Sequence, residues 1–278
     1  MSTVRKPKGR TKSTRLKRDP FFYGWRDIYR KDRNGREVHL QIPLTEEDVL
    51  HPRVGDHIVN SDLHWDDVRY LYDVIKTHLA AITTALVLAD VGVYWGVRSP
   101  HHHSPDVTVI FGVRARDHWP SFHVKKEGVR PEMIIEVTSP STRNVDLRKK
   151  RIQYYQVGVP YYFIADEQYR QRKRTLRLIG YRRGLRGFER LPLSQQGRLW
   201  LEPVGLWLGQ EDGRVACYDE QDNRLGDYAE VERAWKKAER EREEEAHARV
   251  EAERARAAAE ERVRQLEAEL RRSRGNHS

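Results

Sequence analysis

The chain has 278 residues, of which 38% are hydrophobic and 34% charged, with a mean hydropathy of −0.85 and a formal net charge of +10. That length holds one medium domain with appendages or two small ones, and the polarity implies that part of it lies outside any packed core. The single cysteine, Cys217, excludes an internal disulfide framework and a cysteine-based zinc site, and fits a reducing, cytoplasmic setting.

Residues 1–18 carry eight Lys or Arg and no acid, residues 230–278 carry thirteen of each sign, and 19–229 is near +2. Residues 1–20 have little to bury and are expected to form a disordered basic arm. Such an arm either meets phosphate backbones through counterion release or serves as a solubilising terminus. It contains no apolar core segment, so no signal peptide is expected.

Residues 21–226 are expected to form one folded domain. It opens with Phe21, Phe22, Tyr23 and Trp25, and the turn signal Asp32-Arg-Asn-Gly35 predicts a two-stranded element. Thr45-Glu-Glu-Asp48 reads as a capping box or short helix start. From Ser61 the apolar positions Val68, Leu71, Tyr72, Ile75, Leu79 and Ile82 follow helical spacing. The run Leu79–Val97 carries one charge, Asp90, and a charge at mid-membrane costs roughly 2.5–3.5 kcal/mol. With Thr83 and Thr84 it reads better as a helix end followed by a buried strand, Val91-Gly-Val-Tyr-Trp95, so a soluble protein with no membrane partner is expected.

Strand-length apolar runs follow at 86–95, Val107–Val113, Met133–Val137 and Tyr161–Ala165, with a helical segment from about Asn144 to Gln156 before Gly158 and Pro160. Further strands are expected at Thr175–Tyr181 and Gly187–Leu193. This order implies an α/β fold, a central mixed sheet flanked by helices. Residues 227–278 read as a long charged helix, with Glu232/Lys236, Glu245/Arg249, Glu260/Arg264 and Glu267/Arg271 in favourable i,i+4 order. Its apolar residues keep no steady heptad, so a weak coiled coil supporting a homo-oligomer and a solvated single helix both remain open.

Two acids stand where acids are costly. Asp106 follows Pro105 and opens the apolar run Val107-Thr-Val-Ile-Phe111; Glu136 lies inside Met133-Ile-Ile-Glu-Val137. A carboxylate in a buried strand needs a donor, a cation or a metal. Each alone could pair with an arginine, but together on successive strands they could hold Mg²⁺, or Mn²⁺ as an alternative, which bind through one or two carboxylates and keep waters for substrate phosphates. Asp146 and Lys150 share a helix face with Tyr154 one turn on. Lys150 either reaches over the Glu136 strand or forms a surface pair with Asp146. His101-His-His103 is expected to be a loop, since three consecutive histidines cannot all face one ion. Cys217 reads as a small buried residue. The segment Arg170–Arg190 carries nine basic residues against one acid, Glu189. It is either a phosphate-contacting edge or a hairpin with a solvated basic face.

The stretch Pro131-Glu-Met-Ile-Ile-Glu-Val-Thr-Ser-Pro-Ser-Thr-Arg-Asn-Val-Asp146, then Lys150 and Tyr154, then Gly158-Val-Pro-Tyr-Tyr-Phe-Ile-Ala-Asp166, resembles the Uma2 family of the PD-(D/E)XK nuclease superfamily. Ser104-Pro-Asp106-Val, Pro43-Leu-Thr-Glu-Glu-Asp-Val-Leu-His-Pro52 and Gly55-Asp-His-Ile-Val59 match as well. The resemblance implies a restriction-endonuclease-like core and Mg²⁺-dependent hydrolysis of nucleic-acid phosphodiesters, DNA foremost. It implies Asp106 and Glu136 as metal ligands and, with Lys150, as the catalytic set; Lys150 replaces a strand lysine whose place is taken by Thr138. His64, at the start of the first long helix, either lines the site or simply begins the helix. The competing expectations are a non-cleaving nuclease-fold protein that binds nucleic acid or a protein partner, and a docking protein driven by its C-terminal helix.

Overall fold

The computed structural model describes residues 19–114, 118–171 and 173–275. The basic arm expected at the N-terminus falls almost wholly outside them. The chain divides into two compact units, Met1–Leu225 and Gly226–Ser278.

Strands β1 (Trp25–Lys31) and β2 (Glu37–Pro43) pair antiparallel across the expected turn. Asp32 accepts from the amides of Asn34 and Arg36, and Gly35 takes the positive φ of 76° that a residue without Cβ tolerates. Helix α1 (Glu46–Leu50) begins with the capping box expected of Thr45 and Asp48, and β3 (Asp56–His57) joins the other edge of β1. Arg26 ties these pieces together, bonding Asp56 through two nitrogens (2.5 and 2.8 Å) and Asp48 at 2.9 Å.

Helix α2 (Asp62–His78) follows, capped by the Ser61 hydroxyl. The apolar run after it breaks into β4 (Leu86–Ala89) and β5 (Val93–Tyr94) because Asp90 turns the chain with a φ of 53°. Next come β6 (His102–His103), β7 (Val107–Ile110), β8 (Phe122–His123), α3 (Val124–Glu127) and β9 (Pro131–Val137). A π-helical segment, Val145–Lys150, runs into α4 (Arg151–Gln156), and β10 (Tyr161–Arg170), β11 (Lys173–Arg183) and β12 (Phe188–Arg190) complete the central sheet. Its order is β12-β11-β10-β9-β7-β4, mixed because β9 and β10 pair parallel while the other neighbours pair antiparallel. The helical crossover is what permits that parallel pair.

The pleat of β9 sends alternate residues to opposite faces. Met133, Ile135 and Val137 join a core with Val68, Leu71 and Ile75 of α2; Ile134 joins a second core with Tyr154 of α4, Tyr162 and Ile164. Helices thus flank both faces of the sheet. On the α2 side a four-stranded meander completes the first core: β13 (Leu199–Leu201), β14 (Leu206–Glu211), β15 (Arg214–Tyr218) and β16 (Arg224–Leu225). This four-stranded sheet was not among the expected elements. Buried Cys217 sits in it, its amide donating to the Tyr70 hydroxyl at 2.9 Å.

In the second unit, α5 (Tyr228–Gly275) begins with reciprocal bonds between Asp227 and Glu230. Lys236 pairs with Glu232 as expected, whereas Arg264 reaches Glu261 rather than Glu260. The side chain of Arg271 lies outside the described set. No described helix is long and apolar enough to cross a membrane.

Candidate active site

The antiparallel register of β7 and β9 pairs Val107 with Ile135, which sets Asp106, one residue earlier, beside Glu136. The Val137 amide donates to Asp106 Oδ2 at 2.7 Å, and the Asp106 amide makes a long contact of 3.4 Å with Glu136 Oε2. Glu136 follows the pleat toward α4, where the Tyr154 hydroxyl donates to its Oε1 at 2.7 Å. The Lys150 ammonium lies 2.9 Å from the same Oε1 and 2.9 Å from Asp146 Oδ1. Of the alternatives open for Lys150, the reach over the Glu136 strand is the observed one, and the pair with Asp146 is buried rather than solvated. Tyr162 fixes the turn of helix that carries these groups by donating to the Asp146 carbonyl at 3.0 Å.

The cluster is recessed: Glu136 and Asp146 are 1% exposed and Lys150 5%. Burial drives the Glu136 and Asp106 carboxyls above the ordinary carboxylate range, against the pull of Lys150; repulsion from Asp106 and Asp146 adds to the rise at Glu136, and repulsion from Asp146 and Asp90 to that at Asp106. Burial opposes the charge on Lys150, but Asp146, Glu136 and Asp106 outweigh it and hold the ammonium above its usual range. The Tyr154 phenol is pushed well up by burial and by Glu136, so it remains a donor. His64 Nε2 lies 3.7 Å from Asp106 Oδ1, and burial lowers the imidazole's pKa although Asp146 and Glu136 oppose it. Sequence left the role of His64 open; it lines the same cavity of about 580 Å³ as Asp106, Glu136, Asp146 and Lys150.

Whether a divalent ion fits can be tested from the donors. Glu136 Oε1 and Asp106 Oδ2 are already engaged, which leaves Glu136 Oε2 and Asp106 Oδ1 as the less committed oxygens, one per acid. Three carboxylates against one ammonium leave an excess of two negative charges when all are ionised, the charge of one Mg²⁺ or Mn²⁺. His64 Nδ1 and Asn60 Oδ1 are buried without hydrogen-bond partners and line this cavity. No group of three or more His, Cys, Asp or Glu among the described residues forms a ready cage. Mg²⁺ does not require one, since one or two carboxylates plus waters suffice. The residues fit the ion.

Several supporting residues were not anticipated. The Trp95 indole N–H donates to His103 Nδ1 at 2.7 Å, and His103 Nε2 meets Gln153 Oε1 at 2.6 Å. An indole can only donate, so Nδ1 accepts and Nε2 carries the proton given to Gln153. Burial lowers the His103 pKa to about 3, which keeps that neutral tautomer. The ring packs 4.7 Å from Tyr154, and so braces the phenol that holds Glu136. The expected loop at His101–His103 is therefore corrected: His102 and His103 form a short strand against β5, and His103 is a packing residue. Thr138, where the resemblance implies a strand lysine in related nucleases, is committed elsewhere; its hydroxyl accepts from the Glu167 amide at 2.8 Å and lies 3.4 Å from Asp166. The basic segment is also partly spent internally, with Arg174 buried on Asp67 and Glu167 (both 2.7 Å) and Arg177 on Asp166 (2.8 Å).

A family model named Uma2, described as "Putative restriction endonuclease", matches residues 37–232. No curated protein matches the chain. Among solved structures, one described as "a putative nuclease belonging to DUF820 from Anabaena variabilis ATCC 29413" is 13% identical, with a TM-score of 0.33, covering 58% of this chain and 78% of that one.

Proposed function

Because the chain belongs to the Uma2 family, we propose that it is a Mg²⁺-dependent endonuclease, Mn²⁺ serving as an alternative, that hydrolyses nucleic-acid phosphodiesters, DNA foremost. The observation that carries the reading is the Lys150 ammonium held 2.9 Å from Glu136, next to Asp106, in a recessed cavity. Asp106 and Glu136 would hold the ion. When bound, it polarises the phosphate and makes a coordinated water more acidic.

The chain's own groups divide the remaining work. Hydrolysis forms one P–O bond from water, breaks another, and adds negative charge to the phosphate oxygens on the way. Lys150 is held as an ammonium by three carboxylates, so it has no lone pair to act as a base; it stabilises that added charge. Tyr154 and the Val137 amide fix one oxygen of Glu136 and one of Asp106, so the acids need not reorganise to meet the ion. The carboxylates hold protons more tightly than usual, so protons compete with the metal and activity rises with pH as they leave.

One observation favours a second reading. Lys150 already neutralises part of the acidic cluster, and a site balanced in this way could bind nucleic acid without cutting it. Metal-titrated digestion of supercoiled, linear and single-stranded DNA separates the two. Cleavage in Mg²⁺ or Mn²⁺ that Glu136→Ala or Asp106→Ala abolishes, with binding retained, supports the enzyme. Binding to all three substrates with no cleavage at any metal concentration supports the non-cleaving protein.

A further inference from the structure

The cavity that holds the acids is also lined by rings, among them Trp25, His57, Trp65 and Tyr94. Phosphate chemistry alone has no use for them. Some hold the fold together: Tyr94 is stacked on by His102 (5.1 Å, 21°) and by His123 (4.6 Å, 8°), so its faces are occupied. The others are differently placed. Trp25 stacks on His57 at 5.1 Å and 16°, while the His57 side chain stays 52% exposed. Trp65 is 54% exposed. Its ring contact among the described residues is T-shaped, with the adjacent His64 at 6.5 Å and 84°, so no described ring stacks parallel on it.

Trp65 sits in the first turns of α2, directly after His64, whose Nε2 is 3.7 Å from Asp106. A tryptophan half exposed at the lining of a cavity offers a ligand there one of the largest areas that burial can recover. The acids are recessed, and the cavity of about 580 Å³ is in the range of small-ligand pockets rather than of a groove that admits a double helix. A phosphate of an intact duplex is fixed on the outside of a stiff cylinder. A phosphate between unpaired nucleotides can dip into a recess while its base finds a new stacking partner. Aromatic faces serve this purpose for any base, because every base has a π-face.

We infer that the cavity takes an unpaired nucleotide whose base stacks on Trp65, with the Trp25–His57 pair as a second ring surface, so the substrate class is single-stranded or locally unpaired nucleic acid. This rests on the nuclease reading of the same cavity and specifies what enters it.

The test uses the full chain in EDTA, which separates binding from cleavage, with a fluorescent twelve-nucleotide single strand and a blunt-ended duplex of that strand with its complement, by anisotropy at one fixed salt concentration. The wild type is expected to prefer the single strand. Trp65→Ala is expected to weaken single-strand binding by roughly five- to a hundredfold, the range carried by one base–aromatic stack. Trp65→Phe retains most of the affinity, and the duplex responds little to either change. Because Trp65 is largely exposed, both variants are expected to keep the wild-type melting temperature. Unchanged single-strand affinity in Trp65→Ala overturns the inference, as does a duplex bound as tightly and weakened equally, or the absence of single-strand binding. Digestion in Mg²⁺ distinguishes this from the parent reading. Duplex cleavage indifferent to Trp65 removes the inference and leaves the nuclease. Trp65-dependent binding without cleavage at any metal concentration removes the nuclease and leaves the nucleotide site.

Discussion

Replacing Lys150 with methionine keeps most of the side-chain volume and removes only the charge and its donors. Lys150 is 5% exposed, and its ammonium meets Glu136 and Asp146 at 2.9 Å each. Removing one partner of a buried ion pair costs about 3–5 kcal/mol, because the other charge is stranded. For a folded unit of this size that corresponds to a fall of roughly 6–20 °C in Tm, at about 2–4 °C per kcal/mol. The loss should depend on pH. Asp106 and Glu136 titrate above the ordinary carboxylate range because they are buried, and Lys150 pulls both back down. A carboxyl whose pKa is higher folded than unfolded contributes stability below its unfolded pKa and loses it as pH rises through the folded one. Without Lys150 the folded values climb further, so the penalty in Lys150→Met grows as pH rises through the wild-type values of about 7 for Asp106 and about 8 for Glu136. Lys150 itself is raised above its usual range, so its own contribution is intact across that interval. Thermal unfolding in EDTA at several pH values reads both effects. A variant as stable as the wild type at pH 8, or one whose deficit shrinks as pH rises, would refute the assignment of this ammonium as the counter-charge of the buried acids.

Tyr154→Phe deletes the donor at 2.7 Å from Glu136 Oε1 and nothing else. Bonds to charged groups contribute about 1.5–3 kcal/mol, so urea unfolding at pH 8 should show a loss in that range, with the pH–activity curve displaced to higher pH; an unchanged profile would contradict the positioning role. Divalent metal should raise Tm by mass action, by about 2.7 kcal/mol of stability at a hundredfold excess over Kd. The gain should be larger at pH 8 than at pH 6, since protons and metal compete for Asp106 and Glu136, and should vanish in Asp106→Ala. A metal shift independent of pH, or one that survives Asp106→Ala, would place the ion elsewhere.

The parts of the molecule legible in the sequence are those governed by local chemistry. The Asp32-Arg-Asn-Gly35 turn and the Thr45/Asp48 capping box are satisfied by hydrogen bonds within a few residues, so residue type and spacing suffice. Asp106 and Glu136 were visible because an acid in an apolar strand is costly wherever the strand lies. Charge counting failed where side-chain direction decides: in 170–190 it sums residues without asking which face of β11 they occupy, and Arg174 turns inward to Asp67 of α2, 107 residues away. The meander β13–β16 escaped notice because its strands are short, although Leu199-Trp-Leu201 and Leu206-Trp-Leu208 alternate as a half-buried sheet does.

Lys150 shows where the boundary falls. Its spacing from Asp146 was readable, but four residues along a helix predict only a neighbour. What makes it a possible catalytic group is the crossover between β9 and β10. That connection brings a helical segment back over the face of β9 to which the pleat sends Glu136, and the parallel pairing of Glu136 with Ile164 keeps the segment close. The local widening of that segment into a π-helical turn changes how far its residues project, a feature no hydrophobic period announces. Tyr162 and His103 then both pack against Tyr154 (5.0 and 4.7 Å between ring centres) and hold the turn in place. The lysine proposed to stand in for the one absent from the strand thus owes its position to tertiary packing. The aromatic core beneath it should therefore be as sensitive to substitution as the charges it supports.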